Sequence, residues 1–232
     1  MSFLKNLAML FRLVGDICHV YSMIILAQKI KKTRSCSGLS YKTQYLFGIV
    51  FYARYIDLFK NIFYFDSFLR VYNNIMKILY LSFQSVIIYL IRFKYFYSID
   101  KSLDNVDIRI LLIPSAILAF PFKPKTFSFL GFFVEYFWTF SVFLESVAIL
   151  PQLIQLQESG ESETLTSKYI FFLGVYRIFY LIGWIFKFFG KVPVNHLLVA
   201  SAILQGMLYT NFFVLYYKHI FSKKGKDFKL GK

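Results

Sequence analysis

Arginine, aspartate, glutamate, histidine and tyrosine recur inside stretches of this chain that are otherwise apolar. Four phrases carry most of them: Arg54-Tyr55-Ile56-Asp57-Leu58-Phe59, Trp138-Thr139-Phe140-Ser141, Leu144-Glu145-Ser146-Val147-Ala148-Ile149-Leu150-Pro151-Gln152-Leu153 and Leu173-Gly174-Val175-Tyr176-Arg177. Each sits in a run long enough to cross a bilayer. A charge at membrane depth costs about 3 kcal/mol or more, so such side chains either pair within the protein or face a polar cavity.

Helical spacing sorts the polar residues into stripes. Arg12, Asp16 and His19 lie at i, i+4, i+7; Arg54, Asp57 and Asn61 at i, i+3, i+7; Glu135, Trp138 and Glu145 at i, i+3, i+10; Tyr176, Tyr180, Gly183 and Lys187 at i, i+4, i+7, i+11. Four helices with one polar stripe each imply a shared cavity. Arg12, Arg54 and Lys187 give it a side for anions, and the acids give it a side for cations. Arg54 is the best candidate for clasping a carboxylate through two parallel hydrogen bonds. Asp16 and Arg177 also fit a plainer role as partners within the protein. His19 beside Glu145 or Tyr176 would sense pH, because its protonation adds a positive charge and strengthens anion binding as pH falls. The plainer reading of a lone helix histidine is a hydrogen-bonded core residue.

No nucleophile–base pair or phosphate loop is evident. His19, His196 and His219 lie far apart and lack Cys or carboxylate partners at metal-ligand spacing. Cys18 and Cys36 read as two free thiols. The residues describe a membrane binding protein or transporter without cofactor or metal, not an enzyme.

The elements that would position these residues follow from composition. The 232 residues are 58% hydrophobic and 22% aromatic, and mean hydropathy is +0.56. Soluble domains are about 45–50% apolar. The fold class is an all-α membrane protein in a single domain; a barrel would show short alternating segments. The net charge of +15 lies in clusters beside apolar runs, the positive-inside pattern, and no nucleic-acid partner is expected.

Apolar runs fall roughly at 8–28, 44–63, 70–91, 108–122, 127–153, 169–189 and 193–217. A spanning helix needs about 20 residues, so seven are expected. The fourth is short and holds Pro114 and Pro121. Arg12, Asp16 and His19 interrupt the first run, which reads as a retained helix rather than a signal peptide. Lys29, Lys31, Lys32, Arg34 and Lys42 follow that run, and Lys218, Lys223, Lys224, Lys226, Lys229 and Lys232 fill the tail at 218–232. Both clusters should be cytosolic, which needs an odd span count and a lumenal or external N-terminus.

An internal repeat is visible. Leu39-Ser40-Tyr41-Lys42 precedes Gly48, and Leu165-Thr166-Ser167-Lys168 precedes Gly174. Each copy follows a helix expected to end in glutamine, at Gln28 and at Pro151-Gln152. The reading is two parallel three-helix repeats, about 8–91 and 127–217, joined by a linker helix at about 108–122.

These motifs resemble the ER lumen protein-retaining receptor (KDEL receptor) family, from about Phe11 to the tail. The resemblance is strongest over Arg34-Ser35-Cys36-Ser37-Gly38-Leu39-Ser40, Arg54 to Phe59, Trp138 to Leu153 and Thr164 to Tyr180. It implies a seven-helix fold similar to the PQ-loop and SWEET proteins. It also implies a sorting receptor of the ER and Golgi. Such a receptor binds the C-terminal retrieval tetrapeptide of escaped ER proteins at acidic pH, recruits the retrograde COPI coat and releases cargo at neutral pH.

Carried over by motif, Arg54 would hold the terminal carboxylate with Tyr55 beside it. Arg12 would meet the acids of the signal. Asp57, Asn61, Glu135 and Trp138 would line the pocket for its first residue. Tyr180 and Trp184 would contact the peptide and Lys187 its acids, with Arg177 among the binding residues. His19, Glu145 and Tyr176 would form the pH-linked lock, and Lys223 and Lys224 the coat-binding signal. The chain departs from the family pattern at Gly183 (usually Asn), Lys187 (usually Arg), and Asn195 and Asn211 (usually Asp). The segment from Pro121 to Phe132 diverges strongly. The alternative function is a PQ-loop-type small-solute transporter, for which the basic lining and dibasic tail would be unexpected.

Overall fold

A computed structural model describes residues 2–61, 66–159, 161–162, 164–221 and 228–229, and for 2, 60–61, 161–162, 164–167, 211–213, 215–221 and 228–229 it describes the backbone alone. Among the described residues the regular structure is helical apart from two antiparallel two-residue strands, Glu161–Ser162 and Phe228–Lys229.

Helix α1 (Ser2–Thr33) carries Lys31 and Lys32 in its last turn, where cations oppose the negative end of the helix dipole. The chain then reverses through Arg34 (φ 53°) and Gly38 (φ 72°), both in the left-handed region. Ser40 caps α2 (Tyr41–Arg54) by accepting from the Thr43 amide at 3.0 Å. A turn at 55–57 leads to α3 (Leu58–Asn61). Helix α4 (Phe68–Tyr89) widens into a π-helical turn, Leu90–Lys94, and a 3-10 turn, Phe96–Ser98. Then come α5 (Arg109–Phe122), α6 (Phe129–Val147), α7 (Leu150–Ser159), α8 (Thr164–Phe189) and α9 (His196–Phe221).

Two expected runs are broken. The run at 44–63 stops at Arg54, and Leu58 N–H bonds the Tyr55 carbonyl at 3.0 Å to close the turn. The run at 127–153 breaks at 148–149, just ahead of Pro151, which has no N–H to continue a helix but fits the first turn of a new one. Backbone groups at this break find side-chain partners. Gln152 N–H donates to Thr43 Oγ1 at 2.9 Å, and Gln205 Nε2 donates to the Glu145 carbonyl at 3.2 Å. Neither glutamine ends a helix, contrary to expectation: α1 continues past Gln28 to Thr33, and Gln152 opens α7.

Among the described residues, four helical stretches are long and apolar enough to cross a membrane: Phe3–Thr33, Phe68–Lys94, Phe129–Ser159 and Lys168–Phe189. Arg109–Phe122 and His196–Thr210 are shorter apolar helices. The distribution of side chains is inverted relative to a water-soluble bundle. Ile17, Ile110, Ile117, Phe120, Ile185, Phe188 and Met207 point outward, while Asp16, His19, Gln44, Glu145, Arg177 and Gln205 are buried.

Packing is most extensive between α1 and α8, which cross closely at small residues. Gly183 lies so near α1 that a Cβ there would stand 3.2 Å from the Ala8 carbonyl oxygen. Helix α2 packs on α4 and α6, and α9 on α6 and α8. Leu26, Leu46, Val50, Phe51, Ile87, Leu144, Ile149 and Tyr176 form the centre of the core.

Candidate ligand-binding cavity

The turn that ends α2, the first half of α4, the middle of α6 and the facing halves of α1 and α8 enclose a cavity of about 390 Å³. Arg12, Arg54, Tyr55, Trp138, Arg177, Tyr180, Trp184 and Lys187 all line it. Residues far apart in sequence, proposed from stripe spacing and motif, therefore meet at one place.

The deepest charged group is a triad. Arg54 Nη1 lies 2.5 Å from Glu145 Oε2, and Arg54 Nε donates to Ser141 Oγ at 3.0 Å. Arg177 Nη2 pairs with Glu145 Oε1, to which Tyr176 also donates at 3.2 Å. The Glu145 and Arg177 side chains are about equally hidden, at 4% and 5% exposure. One carboxylate thus serves two guanidinium groups, and one positive charge is left over. Among the described residues, Nη2 of Arg54 and Nε of Arg177 are buried without a hydrogen-bond acceptor. Buried donors of this kind are costly and favour an added acceptor.

His19 packs against Tyr176, which donates to Glu145 of the triad. Its ring stacks on Tyr176 with centroids 4.1 Å apart and planes 1° from parallel, and Tyr80 and Phe51 flank it at 4.8 and 5.7 Å. His19, Tyr176 and Glu145 therefore form one continuous group.

A second centre surrounds Asp16. Its carboxylate accepts from Tyr72 at 2.6 Å, from Tyr80 at 3.1 Å and from Tyr180, and Arg12 Nε stands 3.8 Å away. Arg12 Nη2 also donates to Asn73 Oδ1 at 2.5 Å. This ties α1 to α4 and α8, and Asp16 also lines the cavity. Lys77 pairs with Asp57 at 2.5 Å and stands 5.8 Å from the Tyr55 ring. Among the described residues no carboxylate pairs with Lys187, so the cavity carries excess positive charge at two levels: the triad and Lys187.

Asp57, paired with Lys77, lies outside the lining of this cavity. Glu135 lies on α6 one turn before Trp138, half-buried and outside the cavity lining. Asn61 belongs to α3, but its side chain lies outside the described part of the structure, as do Lys223 and Lys224. Asn211 is likewise described only in its backbone, and Asn195 accepts from the Leu197 amide at 2.9 Å to start α9.

Sequence reasoning missed the wall built by α4. Asn73, Met76, Lys77 and Tyr80 line the cavity, with Ala8 and Leu198 from α1 and α9. The clue was available: Asn73, Lys77, Tyr80 and Gln84 lie at i, i+4, i+7, i+11, a fifth polar stripe on the third apolar run.

Residues 35–187 match the family described as "ER lumen protein retaining receptor". The chain is 41% identical over 225 residues to "ER lumen protein-retaining receptor 2" of Homo sapiens, covering 95% of this chain and 98% of that one. It is 40% identical over 217 residues to receptor 3 of Danio rerio, covering 94% and 96%. To the receptor of Drosophila melanogaster it is 39% identical over 221 residues, covering 95% and 98%. With a family match over residues 35–187 and relatives alike over nearly the full length, this chain belongs to the ER lumen protein-retaining receptor family.

Proposed function

We propose that the chain is a pH-dependent sorting receptor. It binds the C-terminal Lys/His-Asp-Glu-Leu-type signal of escaped ER proteins in the Golgi and returns them to the ER, acting as a binding protein rather than an enzyme. The observation that carries this reading is the Arg54–Glu145–Arg177 triad, whose guanidinium groups keep buried, unaccepted donors at a cavity lined by Tyr55, Tyr180 and Trp184. A terminal carboxylate supplies the missing acceptor in the bidentate geometry that arginine favours. Arg12 and Lys187, nearer the mouth, suit the acids that precede the terminal residue. Asp57, Asn61, Glu135 and Trp138 are assigned to the first residue of the signal.

His19 supplies the pH dependence in this reading. Its protonation places a cation against Tyr176 and Glu145, loosens the hold of Glu145 on Arg54 and releases that arginine to the ligand carboxylate. Binding then strengthens as pH falls and is lost as His19 deprotonates.

The receptor would cross the membrane seven times, as α1, α2–α3, α4, α5, α6–α7, α8 and α9. The paired repeats would span about 8–91 and 127–217 around a linker at about 108–122, a PQ-loop-like plan. Supporting this is the alternation of the chain: Ser40, Asp104 and Gln152 meet at one end, and Arg12, Tyr55 and Lys187 at the other. The first end also gathers Lys29, Lys31, Lys32 and Arg34, so it would be cytosolic and the cavity would open to the lumen. Lys223 and Lys224 in the cytosolic tail at 218–232 would engage the COPI coat.

The test is binding of a synthetic Lys-Asp-Glu-Leu peptide, with free and amidated C-terminus, at about pH 5.4 and about pH 7.4, on either side of the ordinary histidine range. The expected result is binding at the lower pH only and its loss on amidation. Equal binding of the free and amidated forms would overturn the carboxylate role of Arg54.

A further inference from the structure

The wall that carries Arg54 and Trp138 has a second side. Arg54, Tyr55 and Trp138 line the cavity, whereas their chain neighbours Ala53, Ile56 and Phe137 line a separate groove between α2, α4 and α6. Tyr45 and Ile49 of α2 and Ile88 of α4 extend this groove, which measures about 560 Å³.

The groove is apolar, and its one central hydroxyl is tied off. Ser85 Oγ donates to the Leu81 carbonyl at 2.6 Å, so the Tyr52 hydroxyl donates to Ser85 Oγ at 2.7 Å. The α4 and α6 stretches that flank the groove are long and apolar enough to cross a membrane, so hydrocarbon is its natural filling.

One end of the groove carries charge. From Ala53 to Tyr45 it follows α2 for eight residues, about 12 Å at 1.5 Å per residue, toward the end where Ser40 meets Asp104. Tyr41 stands one turn beyond Tyr45, with ring centroids 6.0 Å apart. Arg92 approaches the same place from the other wall. It follows Ile88 by four residues, and its charge is felt at the Tyr41 hydroxyl. Arg92 is exposed and rests on the Phe96 ring at 4.8 Å, and among the described residues no carboxylate pairs with it. An apolar slot with an exposed arginine at its end matches a phospholipid: an acyl chain along α2 and a phosphate at the guanidinium. Lys29, Lys31, Lys32 and Arg34 gather at this end of the molecule and favour a headgroup with net negative charge.

We propose that this groove is a lipid site. It holds one acyl chain of an anionic phospholipid from the leaflet at the basic end of the receptor, with the phosphate on Arg92. The chain braces the α2–α6 wall behind Arg54 and Trp138. The choice of leaflet rests on the orientation proposed above; the site is independent of what the cavity binds.

The test places the full chain in phosphatidylcholine nanodiscs with phosphatidylserine or phosphatidylcholine probes that carry a diazirine in mid-chain. Light should attach the probes mainly within 45–56 and 137–140. Attachment should be about fivefold greater for phosphatidylserine, the worth of one basic side chain at an anionic surface. Ile49→Trp and Ile88→Trp fill the groove and should cut attachment there severalfold. Arg92→Gln should erase the advantage of phosphatidylserine. Unlabelled phosphatidylserine should also raise the wild-type thermal midpoint above its phosphatidylcholine value, and none of the three variants should show that rise. Variant midpoints equal to wild type in phosphatidylcholine certify folding. Attachment spread evenly over the lipid-facing helices overturns the site, and so does local attachment that survives both tryptophans. A phosphatidylserine advantage that survives Arg92→Gln overturns the headgroup assignment. An unlabelled groove in nanodiscs that hold two receptors gives this face to a second copy and overturns the lipid.

Discussion

Glu145 holds Arg54 and Arg177 at once and takes a third hydrogen bond from Tyr176. Removing its charge leaves two buried guanidinium groups facing each other. Breaking a buried pair in this way costs about 3–5 kcal/mol. Glu145→Gln is therefore expected to lower the thermal midpoint in detergent by many degrees, and a midpoint near wild type would mean that water reaches the triad. His19 calls for a subtler change, since its ring packs face to face on Tyr176. His19→Phe keeps an aromatic stack while removing the titrating nitrogens. Peptide affinity should then be weak and flat between about pH 5 and about pH 7.5, the interval in which histidine ordinarily titrates; a wild-type pH profile would exclude His19 as the sensor. These residues were legible in the sequence because each is polar within an apolar run. The Asp57–Lys77 pairing was not, since Lys77 lies on a run whose stripe is diluted by Ile78, Leu79 and Leu81.

At the scale of elements, apolar runs located the helices but not their interruptions. Pro151 explains the break between α6 and α7, and the freed backbone groups there are met by Thr43 and Gln205, residues that no local pattern links to it. The break after Arg54 has no proline or glycine to announce it; it follows from tertiary demand, with Arg54 drawn to Glu145 and Asp57 to Lys77. Glycine at 183 was visible as a departure from the family pattern, but its consequence needed the helix pair. A Cβ on Gly183 would stand 3.2 Å from a backbone oxygen of α1, which cannot swing aside as a side chain can. Gly183→Ala should push α1 and α8 apart by a few tenths of an ångström. Overpacking of this kind costs about 1–3 kcal/mol, or about 2–4 °C of thermal midpoint per kcal/mol in a chain of this size. A midpoint equal to wild type would mean that the helices slide to make room.

At the scale of the whole molecule, the end opposite the cavity is closed by a polar knot. Gln152 Oε1 accepts from the Ser40 amide at 2.9 Å, and its Nε2 donates to the Gly38 carbonyl at 3.0 Å. Asp104, from the connection between α4 and α5, accepts from Ser40 Oγ at 2.8 Å and from the Lys42 amide at 3.1 Å. The turn at 34–39 is held from the other side, where the Cys36 amide donates to Ser98 Oγ at 2.7 Å and Lys29 to the Ser37 carbonyl at 2.7 Å. Cys36 is fully buried within this knot, and burial raises its thiol above the ordinary value against smaller opposing effects of Ser98 and Lys29. A hidden thiol with little thiolate reacts slowly. It therefore reports on the knot, provided that Cys18, half-buried in α1, is first replaced. In a Cys18→Ser background, Asp104→Ala removes two of the bonds that fix the start of α2 and leaves the cavity at the far end untouched. Labelling of Cys36 by a membrane-impermeant maleimide should then accelerate severalfold, with peptide affinity at acidic pH unchanged. An unchanged labelling rate would show that Gln152 and Ser98 close this end without Asp104. Faster labelling with altered affinity would show instead that the two ends move together, so that loosening the knot is felt at Arg54.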